Sequence, residues 1–438
     1  MGLFAKAQGL LLRIPPHLYV AGSAWVSRVV TAATGIFMIR ILTQSLGTQQ
    51  YAAYAIFGGL MGWYSLTDMG IGSSLQNHIS ERRAKGERYD QFIATSAVLG
   101  LLFFFFFVAV LVLSSGLLSS LVLRKFDLFT YDQKSLYFLI FGVMSIAASI
   151  GGISYRIWFA EQKGYLANLS PACAALVSFL LVIAVSLSTK ANSLFWMILA
   201  GFGPTAALPV LAFVVQVARK TTALFTYDVA VVRPLLIRGL KFWLTGLLAS
   251  GVLQVDYLVM SQYLPPHDIV TYNLSSKIFL LLFFVYSSLL TAIWPLCAEA
   301  AASNDWDTLM KHVHKSIVIG FVLVGTGTAG FIVFRTQIIG LLSPKEVIDV
   351  PVGLILLFGL YYLLRVWCDV FGMILQSMSY LRPFVIYIPV QAALSIGIQI
   401  LLTKEIGLKG VLIGLITSFI LAPVWILPWV VMKKKKLQ

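Results

Sequence analysis

Polarity along the chain alternates between long apolar runs and short polar stretches. Runs bounded by charge, proline or glycine clusters fall at about 18–42, 51–78, 92–122, 135–158, 165–188, 192–217, 236–261, 270–298, 316–334, 351–378, 383–403 and 408–432. A helix of about 20 apolar residues crosses the hydrocarbon core of a bilayer, and a spanning segment must satisfy its own backbone hydrogen bonds, which favours helices. The pattern predicts an all-α polytopic membrane protein with about twelve transmembrane helices. The longest connection, 218–235, lies midway. It predicts an N-terminal six-helix lobe over 1–217, an inter-lobe loop, and a C-terminal six-helix lobe over 236–438 with a basic tail.

A constant offset of 218 residues pairs Trp25 with Trp243, Gln44 with Gln262, Leu46 with Leu264 and Tyr54 with Tyr272. Six spans per half is an even number, so both halves enter the membrane in the same sense. That is a parallel repeat, whose site is expected where the halves meet.

Composition agrees with the pattern. Of the 438 residues 59% are apolar and 11% charged, and a mean hydropathy of +0.90 lies outside the soluble globular range. The net charge of +15 is spread between apolar runs instead of gathering on one soluble face, so it points to membrane topology and not to nucleic acid. With the N-terminus inside, twenty of the 32 Lys and Arg residues fall on the cytoplasmic side, eight outside and four within spans. Lys6, Arg13, the Arg82–Arg88 loop and the Lys433–Lys436 tail are among the inside set; Lys190 and Lys345 are outside. This positive-inside bias predicts that both termini and the 218–235 loop are cytoplasmic. The lysine tail is expected to touch membrane lipids.

Charges inside spans are costly, and they face a bundle interior or a wet cavity. Arg28 lies near the middle of the first span, Lys277 in the eighth and Arg365 in the tenth. Three cations from both halves suit an anionic group such as a diphosphate. The alternative is neutralisation by a nearby acid: Asp369 stands one turn from Arg365, and Asp256 has a depth similar to that of Lys277. Arg28 has no acid within a turn of its own helix. Asp68, Asp256 and Asp369 are candidates for carrying a coupling ion, and Asp68, in the run Asp68-Met69-Gly70-Ile71-Gly72, can equally anchor a helix end.

Other chemistry is lacking. Cys173, Cys297 and Cys368 are scattered singly, which suits neither a disulfide framework nor a zinc site. His78, His312 and His314 have no metal spacing, and no phosphate-cradling lysine loop is present, so no cofactor is expected. No loop is large enough to house a reaction site at the membrane surface. The chain is not expected to be an enzyme.

The run Leu46-Gly47-Thr48-Gln49-Gln50-Tyr51-Ala52-Ala53-Tyr54, followed by Asp68-Met69-Gly70-Ile71-Gly72 and a basic loop, resembles the N-terminal region of Wzx-type polysaccharide flippases. Ala52 stands where that pattern has Gly. Glu161-Gln162-Lys163-Gly164-Tyr165 resembles a further motif of the same family. The resemblance implies the MOP-superfamily (MATE-like) fold, with two lobes around a central cavity built mainly from spans 1, 2, 7 and 8. It also implies movement of undecaprenyl-diphosphate-linked O-antigen or related repeat units from the cytoplasmic to the periplasmic leaflet of a bacterial inner membrane. By that resemblance Arg28 and Lys277, which lie on the appropriate spans, would meet the head group, with Arg365 a further candidate from its place within a span; a polysaccharide polymerase and a chain-length regulator would be partners. A drug or cation antiporter of the same superfamily is the alternative, and a membrane-bound polymerase or ligase a more distant one.

Overall fold

The computed structural model describes residues 16–188, 193–220, 228–344, 348–378, 380 and 382–437. Lys6, Arg13, Lys190, Lys345 and residues 221–227 of the central connection lie outside these. Among the described residues every regular element is helical. In chain order they are α1 (Pro16–Tyr64), a 3-10 turn (Ser65–Asp68), α2 (Ile71–Ala84), α3 (Asp90–Val122), α4 (Tyr131–Gly151), α5 (Ile153–Ala160), α6 (Gly164–Ser188), α7 (Ser193–Lys220) and α8 (Val229–Leu253). There follow α9 (Val255–Tyr263), α10 (Pro266–Ala302), α11 (Trp306–Val333), α12 (Arg335–Leu342), α13 (Val352–Ser377), α14 (Arg382–Ile406), α15 (Leu408–Leu421) and α16 (Pro423–Leu437).

Among the described residues, eleven helical stretches are long and apolar enough to cross a membrane, the first being Gly22–Asp68 with 47 residues. At 1.5 Å per residue that stretch is about 70 Å long, more than twice a hydrocarbon core of about 30 Å, so it covers both of the first two expected spans. They are separated at Gly47, whose φ of 67° and ψ of 175° are open to glycine and barred to residues with a Cβ. The polar connection expected over 43–50 is therefore helical on both sides of one residue. Its glutamines and Leu46 have good helix propensity, enough to carry the threonines along where no proline intervenes.

A second break interrupts the run 51–78. The helix stops at Tyr64, passes through the 3-10 turn and two left-handed residues, Met69 (φ 50°) and Gly70 (φ 71°), and resumes at Ile71. In the second half of the chain, α9 ends at Tyr263 and Pro265 caps α10. Gly47 and Pro265 are 218 residues apart, the offset that also pairs the sequence matches.

The chain sorts into two compact units. The first comprises Met1–Ser45, Met61–Ser119 and Thr130–Gly246; the second comprises Leu46–Leu60, Ser120–Phe129 and Leu247–Gln438. In the first unit Ile71, Leu75 and Ile79, spaced one turn apart on α2, join Phe92, Ile93, Ile150, Ile153, Ile157, Phe213 and Leu235 in a buried cluster. Thr130 and Gln133 form a reciprocal capping box at the start of α4, satisfying two backbone N–H groups.

The second unit is centred on an aromatic cluster. Phe279 of α10 stacks on Phe358 and Tyr362 of α13, Phe331 of α11 meets Phe279 edge-on, and Phe283 packs on Tyr362. Such ring pairs add about 0.5–1.5 kcal/mol each beyond the area they bury. The α14–α15 pair is held close by small residues: a Cβ at Gly410 or Gly414 would collide with the α14 backbone near Leu402 or Gln399. Along that contact α14 presents Gln391, Ser395, Gln399 and Thr403, one per turn and at most 3% exposed.

Candidate functional site

Each unit carries its own set of charged side chains. In the first unit, Arg28 lies on an exposed face of α1 beside Trp25, Val26 and Val29. Asp68 turns inward on its own backbone: Oδ1 accepts from Gly70 N at 2.9 Å and Oδ2 from Gly72 N at 3.1 Å. The carboxylate thus closes the left-handed break and caps the first turn of α2, where a negative charge is favourable. Both glycines of the motif serve that geometry. A Cβ on Gly70 would strike the carbonyl oxygen of Gly239 on α8, and one on Gly72 would sit 3.0 Å from Asp68 Oδ2.

The second motif, Glu161-Gln162-Lys163-Gly164-Tyr165, forms a junction in the same unit. Glu161 is 8% exposed and pairs with Lys163 Nζ at 3.2 Å and with Lys220 Nζ at the end of α7. The Tyr89 hydroxyl donates to Glu161 Oε1 at 3.1 Å, and Arg83 donates to the Ala160 carbonyl at 2.7 Å. One buried acid therefore ties the basic loop, the α5–α6 turn and α7 together. Nearby, Arg238 of α8 meets Glu81 of α2 at 2.9 Å and, by hydrogen bonding first and charge second, holds the Glu81 carboxyl below its usual value.

In the second unit, Arg365 and Asp369 form the one-turn pair that their spacing suggests, with Nη2 to Oδ2 at 3.3 Å. Arg365 also donates to the Tyr361 hydroxyl at 3.1 Å, and its guanidinium lies 4.8 Å from the centre of the Phe283 ring, a favourable cation–π position. The pair opens onto a cavity of about 340 Å³ whose walls include Trp294, Gln376, Tyr387 and Gln391.

Asp256 does not pair with Lys277. Its Oδ2 accepts from the Tyr272 hydroxyl at 2.5 Å and its Oδ1 from its neighbour's backbone, Tyr257 N, at 2.9 Å. The chain breaks at Gln254 and α9 begins at Val255, so Asp256 sits in a first turn rather than mid-helix, facing a tyrosine instead of the lysine. The network continues through Asn273, which donates to the Tyr257 hydroxyl at 2.7 Å and accepts from Tyr51 at 2.8 Å. Lys277 is exposed and takes part in none of the ion pairs found among the described residues.

The structure therefore brings Arg365 and Asp369 together, seats Asp256 among tyrosines, uses Asp68 as a local cap and leaves Lys277 open. Gln391, Tyr387 and Trp294 escaped the sequence reading because polar and aromatic residues on apolar helices are common. The four-residue repeat of Gln391, Ser395, Gln399 and Thr403 was the available signal, since it puts all four on one face of a helix.

With the regular elements of its described residues helical and many apolar spans, the chain is a polytopic membrane protein, and its relatives and fold make it a transporter of the MOP superfamily. Its fold matches an inward-facing multidrug-resistance MATE transporter of that superfamily with a TM-score of 0.75, at 16% identity, over 94% of this chain and 98% of that one. A MOP-superfamily transporter from Pyrococcus furiosus, described by the reversed polarity of its binding pocket, matches with a TM-score of 0.65 at 15% identity over 97% of each chain. The MatE family model matches residues 243–402.

At the sequence level, a candidate O-antigen export protein of Yersinia pseudotuberculosis is 36% identical over 95% of this chain and 96% of its own. A candidate O-antigen transporter of Salmonella typhi is 35% identical over 97% of this chain and 98% of its own. The chain belongs to this Wzx-type family of O-antigen transporters, and it is a multi-pass protein of the bacterial inner membrane.

Proposed function

We propose that the chain flips undecaprenyl-diphosphate-linked O-antigen or related oligosaccharide repeat units from the cytoplasmic to the periplasmic leaflet. The near full-length kinship with relatives named for O-antigen transport carries this reading. Transport proceeds by alternating access of two six-helix lobes, 1–217 and 236–438, with both termini in the cytoplasm and no covalent chemistry. Lys277 meets the diphosphate, and its exposure without an ion-pair partner among the described residues supports that role. Arg28, exposed on α1, is the second cation, and Arg365, held by Asp369, contributes to the uncharged part of the head group. Coupling to an ion gradient falls to Asp256 in preference to Asp369, which is held by Arg365, and to Asp68, whose oxygens are already committed to two backbone N–H groups. The flipped unit passes to a polysaccharide polymerase and its chain-length regulator.

The test is the lipid-linked pool of a strain lacking this chain. Single repeat units on undecaprenyl diphosphate, trapped in the cytoplasmic leaflet with no surface polymer, are expected. Normal surface polysaccharide with raised drug sensitivity overturns the reading in favour of the antiporter function suggested by the MATE-like fold.

A further inference from the structure

The cavity beside Arg365 and Asp369 has a composition that neither a diphosphate nor a cation would select. Its one guanidinium and one carboxylate are 3.3 Å apart, so the lining is close to neutral. An anion entering would have to displace Asp369 from Arg365, and a cation would have to displace Arg365 from Asp369. The remaining polar side chains are uncharged: the amides of Gln376 and Gln391, the hydroxyls of Thr291 and Tyr387 and the Cys368 thiol, with the Trp294 ring as an aromatic wall. Gln391 is 3% exposed, and its Nε2 has no hydrogen-bond partner among the described residues. A buried donor left unpaired in a residue that lines a cavity calls for an acceptor, which a turn of the Gln391 side chain toward the cavity would let a ligand supply.

A neutral, hydroxyl-rich ring answers each of these features. Sugar hydroxyls can donate to the Asp369 carboxylate and accept from Gln391 Nε2 and Arg365. The apolar C–H face of a pyranose can lie on Trp294 as other apolar groups lie on aromatic rings. A volume of about 340 Å³ is at the small end of ligand cavities, about 300–1,000 Å³, and suits one sugar ring rather than a whole repeat unit. We infer that this cavity of the second unit is a subsite for one neutral hexopyranose of the transported glycan, recognised by Asp369, Gln391 and Trp294. The inference rests on the proposed oligosaccharide transport and deepens it: Lys277 meets charge, and this pocket reads sugar.

The test uses the full chain in nanodiscs with methyl glycosides of glucose, galactose, mannose and rhamnose, followed by saturation-transfer NMR. At least one glycoside is expected to bind the unaltered protein. Gln391→Leu should weaken it about tenfold, the equivalent of one lost hydrogen bond. Trp294→Leu, at a more exposed wall, should do the same and decides the matter if Gln391→Leu does not fold. Inorganic diphosphate should bind Gln391→Leu as well as the unaltered chain. Absence of binding by all four glycosides, equal binding in both variants, or competition of sodium ions for the glycoside site without any sugar response in the variants overturns the inference. The two readings fail separately. Trapped lipid-linked repeat units in the deletion strain with no glycoside binding would leave transport standing and remove the subsite. Gln391-dependent glycoside binding without trapped units would keep the pocket and remove the flippase.

Discussion

Tyr51 and Asn273 stand 222 residues apart in the chain and meet in the interior of the second unit, where the Tyr51 hydroxyl donates to Asn273 Oδ1 at 2.8 Å. Tyr51 belongs to the stretch that carries the family resemblance, and its partner explains why a tyrosine is needed there. Tyr51→Phe keeps the ring and leaves the Asn273 oxygen bare. Interhelical hydrogen bonds in membrane proteins contribute about 0.6–1.7 kcal/mol, so a loss of about 1 kcal/mol is expected in thermal melts. The double variant with Asn273→Leu should lose less than the two single losses combined, and strict additivity would show that the bond contributes nothing.

Glu161 is expected to be the most sensitive acid of the first unit. It is 6% exposed at the side chain while its partners Lys163 and Lys220 are 53% and 25% exposed, so the lysines can turn to water when the acid is removed. That relief places the cost of Glu161→Ala below the 3–5 kcal/mol of a fully buried pair, at about 1–3 kcal/mol. Melting temperature in detergent measures it, and Lys163→Ala should cost far less.

Gly70 and Gly86 share a φ of +71° but not their surroundings. A Cβ on Gly86 meets open space, whereas one on Gly70 meets the Gly239 carbonyl. Gly86→Ala should cost only the left-handed strain of about 1–2 kcal/mol. Gly70→Ala adds a backbone collision that no side-chain rotation relieves, so its expression and melting temperature should fall well below those of Gly86→Ala.

Glu81 gives a pH signature. Its carboxyl lies below the ordinary value of 4.5 because Arg238 bonds to its charged form. A lowered carboxylate pKa contributes stability that is present above the unfolded value and fades as pH falls through the folded one. The pair is solvent-exposed, so the contribution is at most about 1 kcal/mol. Glu81→Gln should melt slightly below the unaltered protein at neutral pH, and the gap should close as the pH drops below the ordinary glutamate range.

For transport, Lys277→Ala is expected to abolish surface polysaccharide in a complemented deletion strain, while Lys277→Arg retains it. Arg28→Ala and Arg28→Lys should divide in the same way. Full polysaccharide from either alanine variant removes that residue from the head-group site.

The membrane helices were legible because apolar length alone specifies them, and the Arg365–Asp369 pair because both residues share one helix face. Contacts between helices were not. Asp256 lies at a depth that suits Lys277, yet Tyr272 takes its carboxylate, a choice made by the break at Gln254 and by the rotation of α9 and α10. Likewise Glu161 has only Lys163 beside it in sequence, and Lys220 reaches it from the far end of α7. The break at Gly47 was hidden in a polar octapeptide that reads as a loop; a single left-handed glycine between two helical turns leaves little trace in composition.

The division of the chain between the two units also sets a timetable. Residues 46–60 are part of the second unit, which otherwise consists of the short segment Ser120–Phe129 and the stretch Leu247–Gln438. At a synthesis rate of about 5–20 residues per second, Tyr51 leaves the ribosome roughly 10–45 s before Asn273 does. During that interval the buried faces of Tyr51, Ala52, Ala53 and Ile56 have no finished interior to enter. The second unit therefore cannot mature by itself as its own helices emerge; the earliest spans must wait in the membrane, and assembly closes backwards onto them.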